Sequence, residues 1–322
     1  MAHDLSIRAD GTAEMAWVGE TPWHGLGQQL EVGADIATWT KAAGLDWNAN
    51  EATVQFAIPG APDALSSFDA RKVLYRSDTQ APLSVVSDSY KTVQPSTILD
   101  FFREVTNKTD AQMETAGSLA GGKVIWALAR LGKDAQVRDD IVAPYLMLST
   151  SYDMSIPTIA KLVATRVVCR NTIQVALGEQ SQRQIRIPHS TDFNAGNVRA
   201  GLEISLDQFD KFMQQAAKLA DKRFEQSDMD KFLLTLMQPE KGEIDGDQIR
   251  KSVAYRKITD LFQGGQLGTG QEAIKNTAWG ALNAVTEYID HIKGKNQSAR
   301  LMDAWYGQAC VFKQKALAII GG

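Results

Sequence analysis

The sequence predicts an α+β fold, with an antiparallel or mixed sheet and packed helices in the N-terminal part and a helical C-terminal part. Up to about residue 192, short runs rich in β-branched and aromatic residues are separated by turn-forming residues, as is typical of strands. Beyond that point, apolar residues recur at helical spacing. Strands and helices do not alternate regularly through the first half, which disfavours a doubly wound parallel sheet.

The chain divides into three predicted segments. Residues 1–46 form an N-terminal arm with a turn and a short helix, residues 47–192 form an α+β sheet domain, and residues 193–322 form a helical domain. A length of 322 residues fits one large domain or two of ordinary size. With 44% hydrophobic and 22% charged residues, the composition is that of a soluble globular protein.

Composition also limits the compartment and the chemistry. Cys169 and Cys310 are too few for a disulfide framework, so a reducing cytoplasm is expected. No apolar run reaches the length of a membrane span, and no signal peptide opens the chain. Four scattered histidines and two cysteines predict no metal site, and no cofactor is expected. Because the net charge is −4, any nucleic-acid binding must come from a local basic patch.

The N-terminal segment shows two features after a polar stretch. Residues 1–20 have no clear period and are expected to form a loosely held arm. Trp23-His24-Gly25-Leu26-Gly27 predicts a turn, in which His24 is either a ligand or base, or part of a packed corner anchored by Trp23. No acidic or cysteine cluster lies nearby, which favours the packed corner. A short helix is expected over residues 35–43.

The sheet domain is predicted from alternating patterns. Pro59–Asp63 has the composition of a loop, and Pro95-Ser96 begins a helix that runs to about Asn107. The hairpin around Ala120-Gly121-Gly122 has apolar residues on both faces of its second strand, which indicates a central position in the sheet. The expected strands are Ala52–Phe56, Lys72–Arg76, Leu83–Val86, Ala111–Leu119, Lys123–Leu131 and Ile141–Thr150.

The stretch where the sheet domain gives way to helices carries an unusual charge. Thr158–Val168 alternates like a strand, and Cys169–Leu177 has helical spacing that ends at Gly178. The local balance from Thr158 to Arg199 is +4 in a chain of net −4, which favours an anionic partner. The six basic residues are Lys161, Arg166, Arg170, Arg183, Arg186 and Arg199, against the acids Glu179 and Asp192.

The remaining chain is expected to be helical throughout. Two Gly- or Pro-containing breaks, residues 238–242 and 264–270, separate its helices. The expected helices are Leu202–Phe224, Asp228–Met237, Asp247–Phe262, Glu272–Ile292 and Ser298–Ile319.

Several sequence blocks, in order along the chain, resemble a family. They are Trp23–Gly27, Tyr90–Gln94, Ser151-Tyr152-Asp153, Arg166–Thr172, and Asn276–Gly280 with Thr286–His291. Together they are similar to the phage/plasmid-like family called DUF932, and they span nearly the whole chain. The resemblance implies a phage, prophage or plasmid setting. It implies no activity and no catalytic residues, and Tyr152 stands where relatives tend to have a histidine.

The first functional hypothesis is single-stranded DNA binding, with strand annealing and self-association as further expectations. Such proteins combine a cationic groove with aromatic residues and need no base readout. At the level of architecture alone, the organisation is similar to Rad52-type annealing proteins, whose core is a small sheet crossed by a helix. Alternatively, Arg166 and Arg170 pair with Asp153 or Glu179 and only stabilise the fold. The candidate phosphate contacts are Lys161, Arg166, Arg170, Arg183 and Arg186, with Tyr152 as a stacking surface.

An enzyme is the second hypothesis, and the sequence disfavours it. Cys169, His189 and Asp192 have the composition of a thiol triad, but a cysteine after two valines is typical of a buried residue. The glycines of residues 264–270 lack the following Lys-Ser/Thr of a phosphate-binding loop. Asp139 and Asp140 are expected to lie at the solvated surface. The sequence shows no set of acidic residues that would come together to bind Mg²⁺.

A third hypothesis is a non-enzymatic interaction protein, for instance one that blocks a host defence system through its helical part. The aromatic residues Trp279, Tyr288, Trp305 and Tyr306 are of types enriched at interfaces, although their helical spacing is equally typical of a core.

Overall fold

The computed structural model of the chain describes residues 5–19, 22, 25–132, 134–166, 172–174, 184–264, 272–294 and 297–322. Strands occupy most of the first half of the described residues, and helices occupy the second half. The α+β class predicted from the sequence is therefore confirmed. Within the described residues, none of the helices combines the length and apolarity that crossing a bilayer requires.

The strands form two sheets. In chain order they are β1 Met15–Val18, β2 Gln28–Leu30, β3 Ala49–Ile58, β4 Ala61–Arg76, β5 Pro82–Ser87, β6 Gln112–Leu119, β7 Val124–Arg130, β8 Ala135–Val137, β9 Asp140–Ser151, β10 Thr158–Arg166, β11 Thr172–Gln174 and β12 Ile185–Ile187.

Helices are inserted after β2 and β5 and then dominate the chain. They are α1 Ile36–Ala42, α2 Pro95–Lys108, α3 Ala195–Asp221, α4 Gln226–Leu236, α5 Gly246–Lys251, α6 Val253–Gly264, α7 Ala278–Glu287, α8 Gln297–Tyr306 and α9 Gln308–Gly321. Short 3₁₀ segments occupy Ala120–Gly122 and Glu272–Ile274, and a π-helical segment occupies Tyr288–Ile292.

The larger sheet has the order β11-β10-β9-β7-β6-β1-β2, with β12 paired to β10 and β8 paired to β9. It is mixed, because β1 and β2 are parallel while the other pairs are antiparallel. The hairpin of β6 and β7 lies inside this sheet, as its two apolar faces predicted.

The smaller sheet has the order β3-β4-β5, and α2 packs against β6 and β7 of the larger sheet. Buried residues of α2, among them Ile98 and Phe102, share one core with Leu74 of β4 and with Ile125 and Ala127 of β7. Helix α2 therefore fills the space between the two sheets. Pro95 occupies its first turn, where a missing N–H costs no hydrogen bond.

The helical half packs mainly on the end of the larger sheet that carries β8, β9 and β10. Val142, Leu162 and Ala164 join a core with Phe212 of α3 and Trp279 of α7. On the opposite face of the sheet, the aromatic residues of α8 pack against β7 and β10. The alternation of strand β10 predicted from the sequence is thus confirmed, because its two faces join different cores.

The N-terminal stretch differs from the expected loose arm. Met15–Val18 forms β1 between β6 and β2, and Ala16 is fully buried. A strand of four residues is too short for its alternation to be recognised in the sequence. Gly117 in β6 allows the close approach, because a Cβ there would lie 2.5 Å from the carbonyl oxygen of Glu14. Trp23 and His24 lie outside the described residues.

Other segments differ from their predictions at turns and boundaries. Thr172–Gln174 pairs with β10 as β11, so the helix expected over Cys169–Leu177 is wrong at these residues. The loop expected over Pro59–Asp63 is only a two-residue turn, since β4 begins at Ala61. The helix prediction failed at Thr172–Gln174 because β-branched residues such as Thr172 and Ile173 also favour strands. The last predicted helix is interrupted at Gly307, where a Cβ would lie 2.5 Å from Asp303 Oδ1.

Candidate functional site

Tyr152, the expected stacking surface, is fully buried. Its hydroxyl donates to the carbonyl oxygen of Val93 at 2.8 Å, and its ring meets Trp47 edge-on at 5.6 Å between centroids. Burial raises the pKa of the Tyr152 hydroxyl well above its usual range. The ring therefore offers no face to a nucleobase, and we remove Tyr152 from the candidate site.

Lys161, an expected phosphate contact, also lies inside the protein. Its ammonium group donates to the carbonyl oxygen of Trp305 at 2.5 Å and lies 4.8 Å from the ring centroid of Tyr306. Burial lowers the pKa of Lys161 to about 8. Helix α8 covers this position, and the sequence of β10 gave no sign of that. Lys161 is removed from the candidate site as well.

The structure describes the four predicted arginines to different extents. Arg186 lies on β12, opposite Ile159 of β10, and its side chain is exposed. The backbone of Arg166 pairs with Val142, and its side chain lies outside the described residues. Arg170 and Arg183 lie outside the described residues too, as does Cys169. Of the proposed polyanion contacts, Arg186 is the one that the described part of the chain places at the surface.

A polar junction joins β12 to the loop before α2. The hydroxyl of Tyr90 donates to the carbonyl oxygen of Ser151 at 2.5 Å, and the ring of His189 stacks on Tyr90 at 4.4 Å. The amide of Lys91 donates to the carbonyl oxygen of His189 at 2.5 Å. Burial raises the pKa of Tyr90 and lowers that of His189.

His189 is therefore a neutral, structural imidazole in this fold. Its Nε2 lies 2.9 Å from the carbonyl oxygen of Ile156 and donates to it, because a carbonyl oxygen can only accept. This contact holds the loop after β9 against β12. No contact among the described residues supports a role of His189 as a general base for Cys169.

A cleft of ≈ 490 Å³ opens beside this junction, between the smaller sheet and the start of α2. Its walls combine polar and charged side chains from β3, β4, the loop before α2 and the segment after β12. The lining residues are Glu51, Lys72, Asp88, Tyr90, Lys91, Thr92, Val93, Gln94, Thr97, Asp192 and Phe193.

Both ammonium groups of the cleft already lie beside a carboxylate of the cleft. Glu51 accepts from Lys72 at 3.0 Å and from the hydroxyl of Thr92 at 2.8 Å. Lys91 lies 3.8 Å from Asp192 across an exposed gap, where an ion pair contributes little. Three carboxylates face two ammonium groups, so the lining has a balance of −1. This cleft is not the cationic groove that the sequence predicted.

A buried charged cluster on α9 was not predicted from the sequence. Lys313 Nζ donates to Asp290 Oδ1 at 2.8 Å, and both side chains are nearly inaccessible. Asp290 belongs to the π-helical segment, and Cys310 lies one turn before Lys313 with a pKa raised by burial. Its one recognisable sign was a lysine on the buried stripe of a helix. Among the described residues, no three His, Cys, Asp or Glu side chains gather as a metal site.

The block Asn276–Gly280 is explained by the start of α7. Asn276 has a positive φ of 53°, and Thr277 caps the helix by accepting from the amide of Gly280 at 3.0 Å. The indole of Trp279 donates to Asp140 Oδ2 at 2.8 Å, which links α7 to β9. Gly280 has no room for a Cβ, which would lie 2.4 Å from the carbonyl oxygen of Ile274.

The aromatic residues of the helical part are largely used internally. Trp279 is fully buried, whereas Tyr288, Trp305 and Tyr306 are half-buried. Trp305 packs edge-on against Trp126 of β7 at 5.6 Å between ring centroids. These four side chains therefore do not form an exposed aromatic surface.

The sequence blocks of this α+β protein match a known family. Residues 82–305 match the family described as "Domain of unknown function (DUF932)". Because the match covers more than half of the chain, the protein belongs to the DUF932 family. No curated protein and no solved structure matches the chain.

Proposed function

We propose that this protein binds single-stranded DNA through the cationic segment between Thr158 and Arg199, and that it promotes strand annealing in a phage or plasmid setting. The observation that carries the proposal is the surplus of basic residues in this segment, which is +4 in the sequence and +3 without the buried Lys161, in a chain of net −4. Basic side chains along a backbone track bind single strands without reading the bases. The proposed location is the cytoplasm of a bacterial host, as expected for such a setting.

Two features of the fold support the proposal. Arg186 is exposed on β12, at the edge of the larger sheet. Helix α2 packs on a sheet, against β6 and β7, and a helix packed on a sheet is compatible with the analogy to Rad52-type annealing proteins, which concerns architecture alone. With Lys161 and Tyr152 removed, the proposed phosphate contacts are Arg166, Arg170, Arg183 and Arg186.

The experiment measures fluorescence anisotropy of a labelled oligothymidylate at several salt concentrations. The test variant is Arg170→Ala/Arg183→Ala/Arg186→Ala. The control variant, Arg103→Ala/Arg223→Ala/Arg256→Ala, removes the same charge from exposed positions outside the cationic segment. Binding to a single strand loses about 0.7 in the slope of log K against log salt for each phosphate contact removed. The test variant is therefore expected to lower the magnitude of the slope by about 2.

The outcomes separate the alternatives. Equal weakening in both triple variants would attribute binding to net charge alone and would contradict the assignment of the site. No binding by the unmodified protein at low salt would overturn the proposal. A protein that binds a host or phage protein partner, with no affinity for oligonucleotides, would instead be the interaction protein of the third hypothesis. Lys161→Met is expected to leave the affinity unchanged, because this side chain is buried.

A further inference from the structure

The hairpin of β3 and β4 extends well beyond the third strand of its sheet. Strand β5 pairs with β4 only from Arg71 to Tyr75, whereas β4 begins at Ala61. Residues 54–70, here called the outer ribbon, thus consist of two strands joined by the Pro59-Gly60 turn. At about 3.3 Å per residue, the ten residues of β4 before Arg71 extend roughly 30 Å. Among the described strands, none pairs with either outer edge of this ribbon.

The outer ribbon exposes large apolar side chains on both faces. Ala57 is paired with Leu65 and Phe56 with Ser66, so Leu65 and Phe56 point to opposite faces. Four exposed apolar side chains lie within thirteen residues, which sets this segment apart from scattered surface residues. The exposed fractions are 49% for Phe56, 44% for Ile58, 59% for Leu65 and 49% for Phe68.

The ribbon carries little of the charge that ordinarily protects an open strand edge, and its protection is limited to Pro62 and to the register shifts near Gln55 and Ile58. Residues 53–70 contain no Lys or Arg and only two acids, Asp63 and Asp69. Charged residues, especially lysines, ordinarily prevent edge strands from pairing with other chains. An isolated two-stranded ribbon is only marginally stable in water. Its open edges therefore offer backbone groups with which another strand could pair.

We propose that the outer ribbon is the self-association element of this protein, and that it pairs edge to edge with the outer ribbon of a second copy. Two copies related by a two-fold axis present the same edge to each other, so antiparallel pairing satisfies the backbone groups of both. The inference does not depend on nucleic-acid binding.

The size of the ribbon fits this occupant. Antiparallel pairing along an edge roughly 30 Å long would join the two ribbons into one four-stranded sheet, in which apolar side chains of both copies become cross-strand neighbours on each face. A small ligand would leave most of the ribbon exposed. Small residues between the large ones, among them Ala57, Ser66 and Ser67, leave room for the apolar side chains of the second copy.

The first measurement is sedimentation velocity of the full chain, without nucleic acid, over a range of concentrations. We expect the unmodified protein to associate and Phe56→Ser/Leu65→Ser to weaken self-association at least tenfold. The matched control is Val32→Ser/Val253→Ser, which removes two exposed apolar side chains elsewhere and is expected to associate normally. A monomeric unmodified protein, or equal association of all three, would overturn the proposal.

A second measurement reports directly on contact between ribbons and does not weaken the interface. Donor and acceptor dyes attached at Ser67→Cys of different copies, an exposed position of the ribbon, are expected to show energy transfer, because the paired four-stranded sheet keeps the two labels within about 30 Å. The same dyes at Val311→Cys, an exposed position on α9, are expected to show less. Association without energy transfer at Ser67→Cys would show that the ribbon binds a different surface, which overturns the ribbon-to-ribbon contact.

Discussion

The larger sheet and the outer ribbon distribute polar and apolar side chains in opposite ways. Around the larger sheet, charged groups are buried, as shown by Lys161 and by the pair of Glu14 with Arg76. On the outer ribbon, Phe56 and Leu65 are exposed. The buried charges find their partners inside the chain, whereas the exposed apolar side chains have none among the described residues. At these positions burial follows the presence of a covering element and not the chemical type of the residue.

The difference also has an energetic side. A buried charge that loses its partner retains the cost of its desolvation. An exposed apolar side chain on a free ribbon loses little when it is truncated, because it has not left water in the folded monomer. The two regions should therefore respond to substitution with very different losses in the free energy of unfolding.

The largest loss is expected for Glu14→Gln. Arg76 donates to Glu14 through both terminal nitrogens, at 3.0 and 2.7 Å, and both residues are buried. Removing the carboxylate leaves Arg76 with Asp78 as its remaining acid, so about 3–5 kcal/mol of stability should be lost. Urea unfolding measures this loss in the free energy of unfolding. The control is Asp46→Asn, which breaks the exposed contact with Arg8 and should cost below about 1 kcal/mol. A similar small loss in both variants would contradict the comparison.

A smaller and pH-dependent effect is expected for Lys161→Met. The pKa of Lys161 is about 8 in the fold, below the value of about 10.4 for an unperturbed lysine. Between these values the unfolded state binds more protons, so the stability contributed by this position rises with pH. Relative to Lys161→Met, the unmodified protein should gain about 3 kcal/mol between pH 8 and pH 10.5.

Urea unfolding of both proteins at pH 7.5, 9 and 10.5 tests this sign. Taking the difference between the two proteins cancels the titration of the other lysines. Well below pH 8 the difference should level off, because Lys161 is then protonated in both states. A difference that stays constant over the whole range would show that Lys161 is solvated and would restore it to the cationic site.

The sequence predicted the local elements well and their surroundings poorly. The hairpin of β6 and β7 and the strand from Thr158 were recognisable because alternation is a local property. The burial of Tyr152 and Lys161 could not be predicted, because each side chain contacts a residue that is distant in sequence. Tyr152 contacts Val93, and Lys161 contacts Trp305. The exposed ribbon was missed for the converse reason, since its alternation looks the same whether or not another layer covers it.

The smallest effect is expected on the outer ribbon. Leu65 and Leu74 lie on the same strand, β4, but Leu65 is exposed and Leu74 is fully buried. Leu65→Ala should change the free energy of unfolding by less than about 0.5 kcal/mol. Leu74→Ala should cost about 2–5 kcal/mol, because it leaves a cavity between the sheets. Both are measured by urea unfolding at the lowest practical protein concentration, where association adds least to stability. If Leu65→Ala costs as much as Leu74→Ala under these conditions, a segment of the same chain covers the ribbon, and no second copy is needed to bury it.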